Sequence, residues 1–170
     1  MIRLIGAALV IAGTTAYGIA GVVALQRRSR TLAELLRTVA AMRSELVTRL
    51  TPVPTLISHL AEQSAEPVAA FLREVGARLG SLGEVTLTQI WSDALAAVPL
   101  GLNDAERTAF CEVPHALGRY DLAEQRVALL SVERQLERFA TEAEERRRSD
   151  SKTRAFLGFA AGFFVVLILI

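Results

Sequence analysis

The sequence predicts an all-α protein, a cytoplasmic six-helix antiparallel bundle flanked by N- and C-terminal transmembrane helices. Three observations carry that reading. Between Thr31 and Arg148 apolar residues recur at steps of three and four, the spacing of one helix face, and no alternating strand pattern of any length appears. Capping residues, Pro and Gly interrupt that periodicity at short intervals, which leaves short connections between neighbouring helices. Uncharged runs then stand at both ends, Leu4–Leu25 and Ala155–Ile170. The expected division is residues 1–27 for the first membrane helix, 28–150 for the bundle and 151–170 for the second membrane helix.

Leu4–Leu25 supplies 22 uncharged residues, enough to cross a hydrocarbon core of ~30 Å at about 1.5 Å per residue. A cleavable signal peptide is the rival, with Arg3 as its basic start and Ala16-Tyr17-Gly18 near a cleavage point. The length of the run and its abrupt end at Gln26-Arg27-Arg28 favour a retained anchor. Thr31-Leu32-Ala33-Glu34 reads as a capping box that opens a fresh helix. Leu32, Leu35, Leu36, Val39, Met42, Leu46, Val47 and Leu50 form its apolar stripe. Thr51-Pro52-Val53-Pro54 stops it, because proline has no amide proton and bars its predecessor from helical angles.

Pro54 leads into a second helix to Gln63 with Leu56, Ile57 and Leu60 inward. Pro67 starts a third, carrying Val68, Phe71, Leu72, Val75 and Leu79, which Gly80 to Gly83 ends. Thr86 and Gln89 cap a fourth, lined by Leu87, Ile90, Trp91, Ala94, Leu95 and Val98 and closed by Pro99 and Gly101. Asn103 and Glu106 make the next box, opening a fifth helix through Phe110, Val113 and Leu117. Pro114 should kink or shorten it. After Gly118, Asp121 and Glu124 cap a long sixth helix whose stripe is Leu122, Leu129, Val132, Leu136, Phe139 and Ala143. Asp121 to Ile170 reads as one helical run, weakest at Ser149 to Thr153, which is poor in helix formers and where a break would cost rigid coupling. Phe156–Ile170 spans only about 22 Å, a length completed by arginine snorkelling, bilayer thinning or association with other helices.

Charge is partitioned along the chain. Residues 31–145 hold ten Arg against seventeen Asp plus Glu, a net charge of −7. The flanks are basic: Arg27, Arg28 and Arg30 on one side, Arg146-Arg147-Arg148, Lys152 and Arg154 on the other. Basic residues at membrane edges, and not on a domain face, argue against nucleic acid as a partner and for anionic membrane lipids. The same collars put the middle of the chain in the cytoplasm and both termini across the membrane.

Catalytic and ligand signatures are sparse. Cys111 is the one cysteine, which excludes an intrachain disulfide and any multi-Cys metal site, and neither His59 nor His115 has a second His or Cys at ligand spacing. No phosphate-cradling glycine loop, nucleophile elbow or cofactor motif is present. Trp91 sits on a core stripe, and nothing brings Asp93 and Glu124 together as an acid–base pair. The remaining candidates are contact residues. Gly6 and Gly13 in the first apolar run, and Gly158 and Gly162 as a G-x-x-x-G in the second, allow close approach of membrane helices. Arg119 and Tyr120 form an exposed-type pair in the corner before Asp121, a candidate partner contact.

These landmarks together resemble the stage III sporulation protein AB family. The resemblance rests on Ile2 to Gly13, on Met42-Arg43-Ser44-Glu45 followed by Thr51-Pro52-Val53-Pro54, on Leu117 to Asp121 with Glu124-Gln125, and on Leu157 to Gly162 ending in Leu167 to Ile170. Pro114 departs from the helix former expected at that place. The resemblance implies a non-enzymatic membrane platform or scaffold component of the mother cell–forespore channel complex of endospore formation. It also implies a soluble domain similar to the cytoplasmic domains of the type II secretion inner-membrane platform protein. The implied partners are the operon's cytoplasmic secretion-type ATPase, the AA protein, and other membrane proteins of that operon. The implied location is the mother-cell membrane around the forespore. Self-association into a homo-oligomer stays open, as do two other classes. A membrane-bound enzyme would need polar groups converging inside the bundle; a secreted helical binding protein would need cleavage after the first run.

Overall fold

The computed structural model describes the backbone of residues 2–49, 51–118 and 121–169, and the side chains of residues 21, 23–46, 51–118 and 121–149. The described chain is all-α. Six α-helices follow in order: α1 (Ile2–Arg49), α2 (Val53–Gln63), α3 (Val68–Arg78), α4 (Leu87–Ala97), α5 (Asp104–Leu117) and α6 (Leu122–Leu169). A 3-10 turn, Leu79–Ser81, extends α3, and an isolated bridge between Leu82 and Val85 closes the turn after it. Two compact units result: Met1–Ser29 with Glu142–Ile170, and Arg30–Thr141.

No fresh helix opens at Thr31, whereas the last run is one helix as its sequence reads. α1 and α6 are 48 residues each and run without interruption through Thr31 and through Ser149 to Thr153. The box expected to open a helix at Thr31 therefore caps nothing. Its amides already lie inside α1, where the preceding turn supplies their acceptors. Glu34 turns outward from its own helix and accepts a hydrogen bond at 2.9 Å from the backbone N–H of Ala65, beyond the end of α2. The weak helix formers between Ser149 and Thr153 are likewise carried within a helix long enough for its neighbours to propagate through them. Among the described residues no helix is long and apolar enough to cross a membrane. The expected spans at Leu4–Leu25 and Phe156–Ile170 lie almost wholly outside the described side chains.

Within Arg30–Thr141 the core is built from the expected stripes. Leu32, Leu35, Val39, Met42 and Leu46 of α1 are buried, as are Leu56, Ile57 and Leu60 of α2 and Val68, Phe71, Leu72 and Val75 of α3. Each fully buried side chain of this size contributes roughly 1.5–3 kcal/mol relative to exposure. Phe71, Trp91 and Phe110 meet at its centre with ring centroids 4.9, 5.1 and 5.3 Å apart, one pair edge-on and two tilted. Those geometries set positive ring edges toward negative faces. Trp91 Nε1 is buried without a hydrogen-bond partner, so this indole is held by packing alone. α6 closes the core with Leu129, Val132 and Leu136.

Helix starts follow their local chemistry. Thr86 accepts from the Gln89 amide at 3.2 Å, while the Gln89 side chain turns away to Asp93. Asn103 and Glu106 form a complete capping box, at 2.8 and 2.9 Å, with Glu106 buried. Asp121 accepts from the Ala123 amide at 2.9 Å and starts α6. Gly101 at φ +69° makes the turn between α4 and α5 that an L side chain would resist.

Two expectations about side chains are corrected. Pro114 does not shorten α5, which continues to Leu117. Proline forgoes its own amide bond and crowds the carbonyl one turn back, but its ring is buried and the Gly118 N–H donates to the Pro114 carbonyl at 3.0 Å. Leu122 does not join the α6 stripe and is 48% exposed. It is the first residue of α6, seven residues before Leu129, the first residue of that helix in the core.

Candidate functional site

Arg119 and Tyr120 lie outside the described residues, but both shoulders of their corner are held. Before them the Leu117 carbonyl accepts from Gln125 Nε2 at 3.1 Å; after them the Gln125 amide donates to the Asp121 carbonyl at 2.9 Å. Gln125 thus ties the end of α5 to the start of α6. Gly6, Gly13, Gly158 and Gly162 stand in the helical backbone of α1 and α6, and their packing lies outside the described residues.

The other singled-out residues have structural surroundings. Cys111 is half-buried, and burial pushes its thiol above the ordinary value against the pull of Arg107. That is the opposite of what a nucleophilic thiolate needs. His115 is exposed, and His59 Nδ1 stands 3.9 Å from a Glu45 carboxylate oxygen that is buried without a hydrogen-bond partner. Asp93 is engaged by Gln89 and lies 3.8 Å from Arg78. No group of three metal-ligand side chains occurs among the described residues.

Polar contacts between helices were missed by sequence reasoning, because each depends on how two elements align. Arg43 of α1 donates to Glu133 of α6 at 2.7 Å, a bond to a carboxylate that raises the guanidinium's pKa above its ordinary value. Thr38 meets Ser64 at 3.1 Å beside the bond from Ala65 to Glu34. At the basic collar Glu144 accepts from Arg147 at 2.7 Å on both oxygens, from Arg148 at 2.9 Å and from Ser29 of α1 at 3.0 Å. Those donors, Arg147 first, pull its carboxyl down to about 2. Arg147 and Arg148 reach Glu144 from three and four residues along the same helix, whereas the hydroxyl comes from α1.

Two surface features remain. A groove of about 550 Å³ between α2 and α3 has a small-residue floor that includes Ala61, Ala69 and Gly76. Its one ion pair, Arg73 with Glu66, lies at its exposed rim and holds the Glu66 carboxyl below the ordinary range. The second is the outer face of α6, opposite Leu129, Val132 and Leu136. Val127 is 67% exposed there, Leu130 is half-buried, and Arg134 and Arg138 follow on the same face, all lining a shallow depression of about 380 Å³. Arg134 and Arg138 make no ion pair among the described residues.

Taken together these features define an all-α helical domain with an apolar core, fastened by polar contacts between its long and short helices. The chain belongs to the stage III sporulation protein AB family, whose family model matches residues 3–170. A relative, the stage III sporulation protein AB of Bacillus subtilis (strain 168), is 25% identical over 171 residues, 99% of each chain. A solved structure described as stage III sporulation protein AB (SpoIIIAB) shares the fold at a TM-score of 0.65 and 22% identity, over 72% of this chain and 98% of its own.

Proposed function

We propose that this chain is a non-enzymatic membrane platform of the mother cell–forespore channel complex, coupling a cytoplasmic secretion-type ATPase to the membrane assembly. The observation that carries the reading is the dual use of α1 and α6. The helices that bear the apolar runs Leu4–Leu25 and Phe156–Ile170 also contribute Leu32 to Leu46 and Leu129 to Leu136 to the bundle core. Two anchors, residues 1–27 and 151–170, hold the domain of residues 28–150 at the cytoplasmic face of the mother-cell membrane around the forespore. Gly6, Gly13, Gly158 and Gly162 give those anchors close-packing faces. The basic collar around Arg146 to Arg154 sits at anionic headgroups.

Family membership supports the sporulation setting, and an interior filled by apolar side chains supports a scaffold over an enzyme. Force from a docked ATPase would pass along α6. The test is co-purification of the full chain, in detergent, with the ATPase encoded in the same operon, followed by titration. Saturable binding at micromolar concentration is expected. No binding with both proteins folded sinks the coupling reading.

A further inference from the structure

The outer face of α6 is a stripe that neither core packing nor capping explains. Ala123, Val127, Leu130, Arg134, Arg138 and Thr141 succeed one another at steps of three and four, on the side of the helix opposite its buried residues. From Val127 to Arg138 it covers about 16 Å, three helical turns. A domain of net charge −7 here shows a strip without one acidic side chain: two apolar residues, then two guanidiniums one turn apart. Val127 is exposed and Leu130 half-buried where a solvated helix face would carry polar groups.

We propose that this stripe is a docking site for an acidic amphipathic helix of a partner protein. The helix lays two apolar side chains against Val127 and Leu130 and presents two carboxylates to Arg134 and Arg138. Charge complementarity selects this occupant. Membrane-surface recognition by basic residues uses clusters of about four to eight, and two arginines fall short of that. Two copies of this chain meeting symmetrically through the stripe would set guanidinium against guanidinium if parallel, or Arg138 over Val127 if antiparallel, and in both cases the stripe itself offers the cations no acid. A helix with carboxylates at the matching turns satisfies both cations bidentately and removes Val127 from water.

This rests on the platform reading for the partner being a protein, and the experiment separates the two. The full chain is placed in zwitterionic nanodiscs and titrated with a labelled synthetic peptide of about 20 residues. The peptide bears Leu at i and i+3 and Glu at i+7 and i+11; a second places the same residues in reverse order, and a scrambled peptide and empty discs are controls. One of the two ordered peptides should bind at least about tenfold more tightly than the scrambled one, and R134E/R138E should abolish the preference while leaving the far-UV spectrum and melting temperature unchanged. Equal binding of ordered and scrambled peptides overturns the proposal. So does protection of residues 123–141 from hydrogen exchange in phosphatidylglycerol discs without peptide, which assigns the stripe to lipid. A dimer in detergent that R134E/R138E dissociates overturns it in favour of a second copy. If the ATPase binds the wild type and R134E/R138E equally, the platform reading stands and this docking site does not. If the peptide binds and the ATPase does not, the reverse holds.

Discussion

Glu34 separates two accounts of how α1 is built. If Thr31 to Glu34 were a capping box, Gln at the fourth position would serve as well as Glu, and Glu34→Ala would cost about 1 kcal/mol at most. In the structure the carboxylate is a clasp between helices. Its residue is 6% exposed; one oxygen accepts from the Ala65 amide at 2.9 Å and the other pairs with Arg37 at 2.9 Å. The Arg37 side chain is 73% exposed, so that pair contributes about 0–1 kcal/mol. The charge-assisted bond to a backbone amide contributes about 1.5–3 kcal/mol. Glu34→Ala is therefore expected to destabilise by about 2–3 kcal/mol, and Arg37→Ala by less than about 1. For a unit of this size that converts to a fall in Tm of roughly 8–12 °C, read by far-UV circular dichroism of the full chain in detergent.

Amide hydrogen exchange gives the local readout. The Ala65 N–H should lose protection in Glu34→Ala, while the Ala69 N–H, bonded to the Ala65 carbonyl at 3.1 Å, keeps it. Equal losses from Glu34→Ala and Arg37→Ala, or an unchanged Ala65 amide, would refute the clasp.

Leu136→Ala is expected to cost about 3–4 kcal/mol because Leu136 is fully buried, whereas Leu122→Ala at a half-exposed position stays within about 0.5; paired thermal melts check this. Cys111 should alkylate at pH 7 at least about tenfold more slowly than a free thiol and reach the free rate in urea, since burial raises its pKa and limits access. Glu144 should titrate at about 2 in carbon-detected NMR, and R147A/R148A should return it toward about 4.3. Because the folded value is depressed, its contribution to stability is present above about pH 4.3 and lost as pH falls through about 2. A midpoint near 4 in the wild type would remove the collar clamp.

The fold was legible where its cause is local. Asn103 with Glu106, Thr86, Asp121 and the prolines around Val53 act within a few residues of themselves, and their helices start where those patterns stand. The stripes were legible because burial follows helical period, and Leu129, Val132 and Leu136 are buried as the spacing requires. Pro114 shows the limit in one direction: its backbone cost is local, but the compensation comes from burial, which its neighbours in sequence do not reveal.

Thr31 and Glu34 show the limit in the other direction. The four-residue pattern is identical whether it begins a helix or lies inside one, and what decides is whether free amides exist there to be capped. In α1 they do not, so the carboxylate is released to a contact 31 residues away, and the same atoms that would have marked a boundary hold two helices together. The α6 stripe follows the same logic. Apolar residues at helical spacing read as core until another set on the same helix is seen to fill it. Once Leu129, Val132 and Leu136 have done so, Val127 and Leu130 fall on the other side of the helix, Val127 exposed and Leu130 half-buried, beside two arginines that make no ion pair among the described residues.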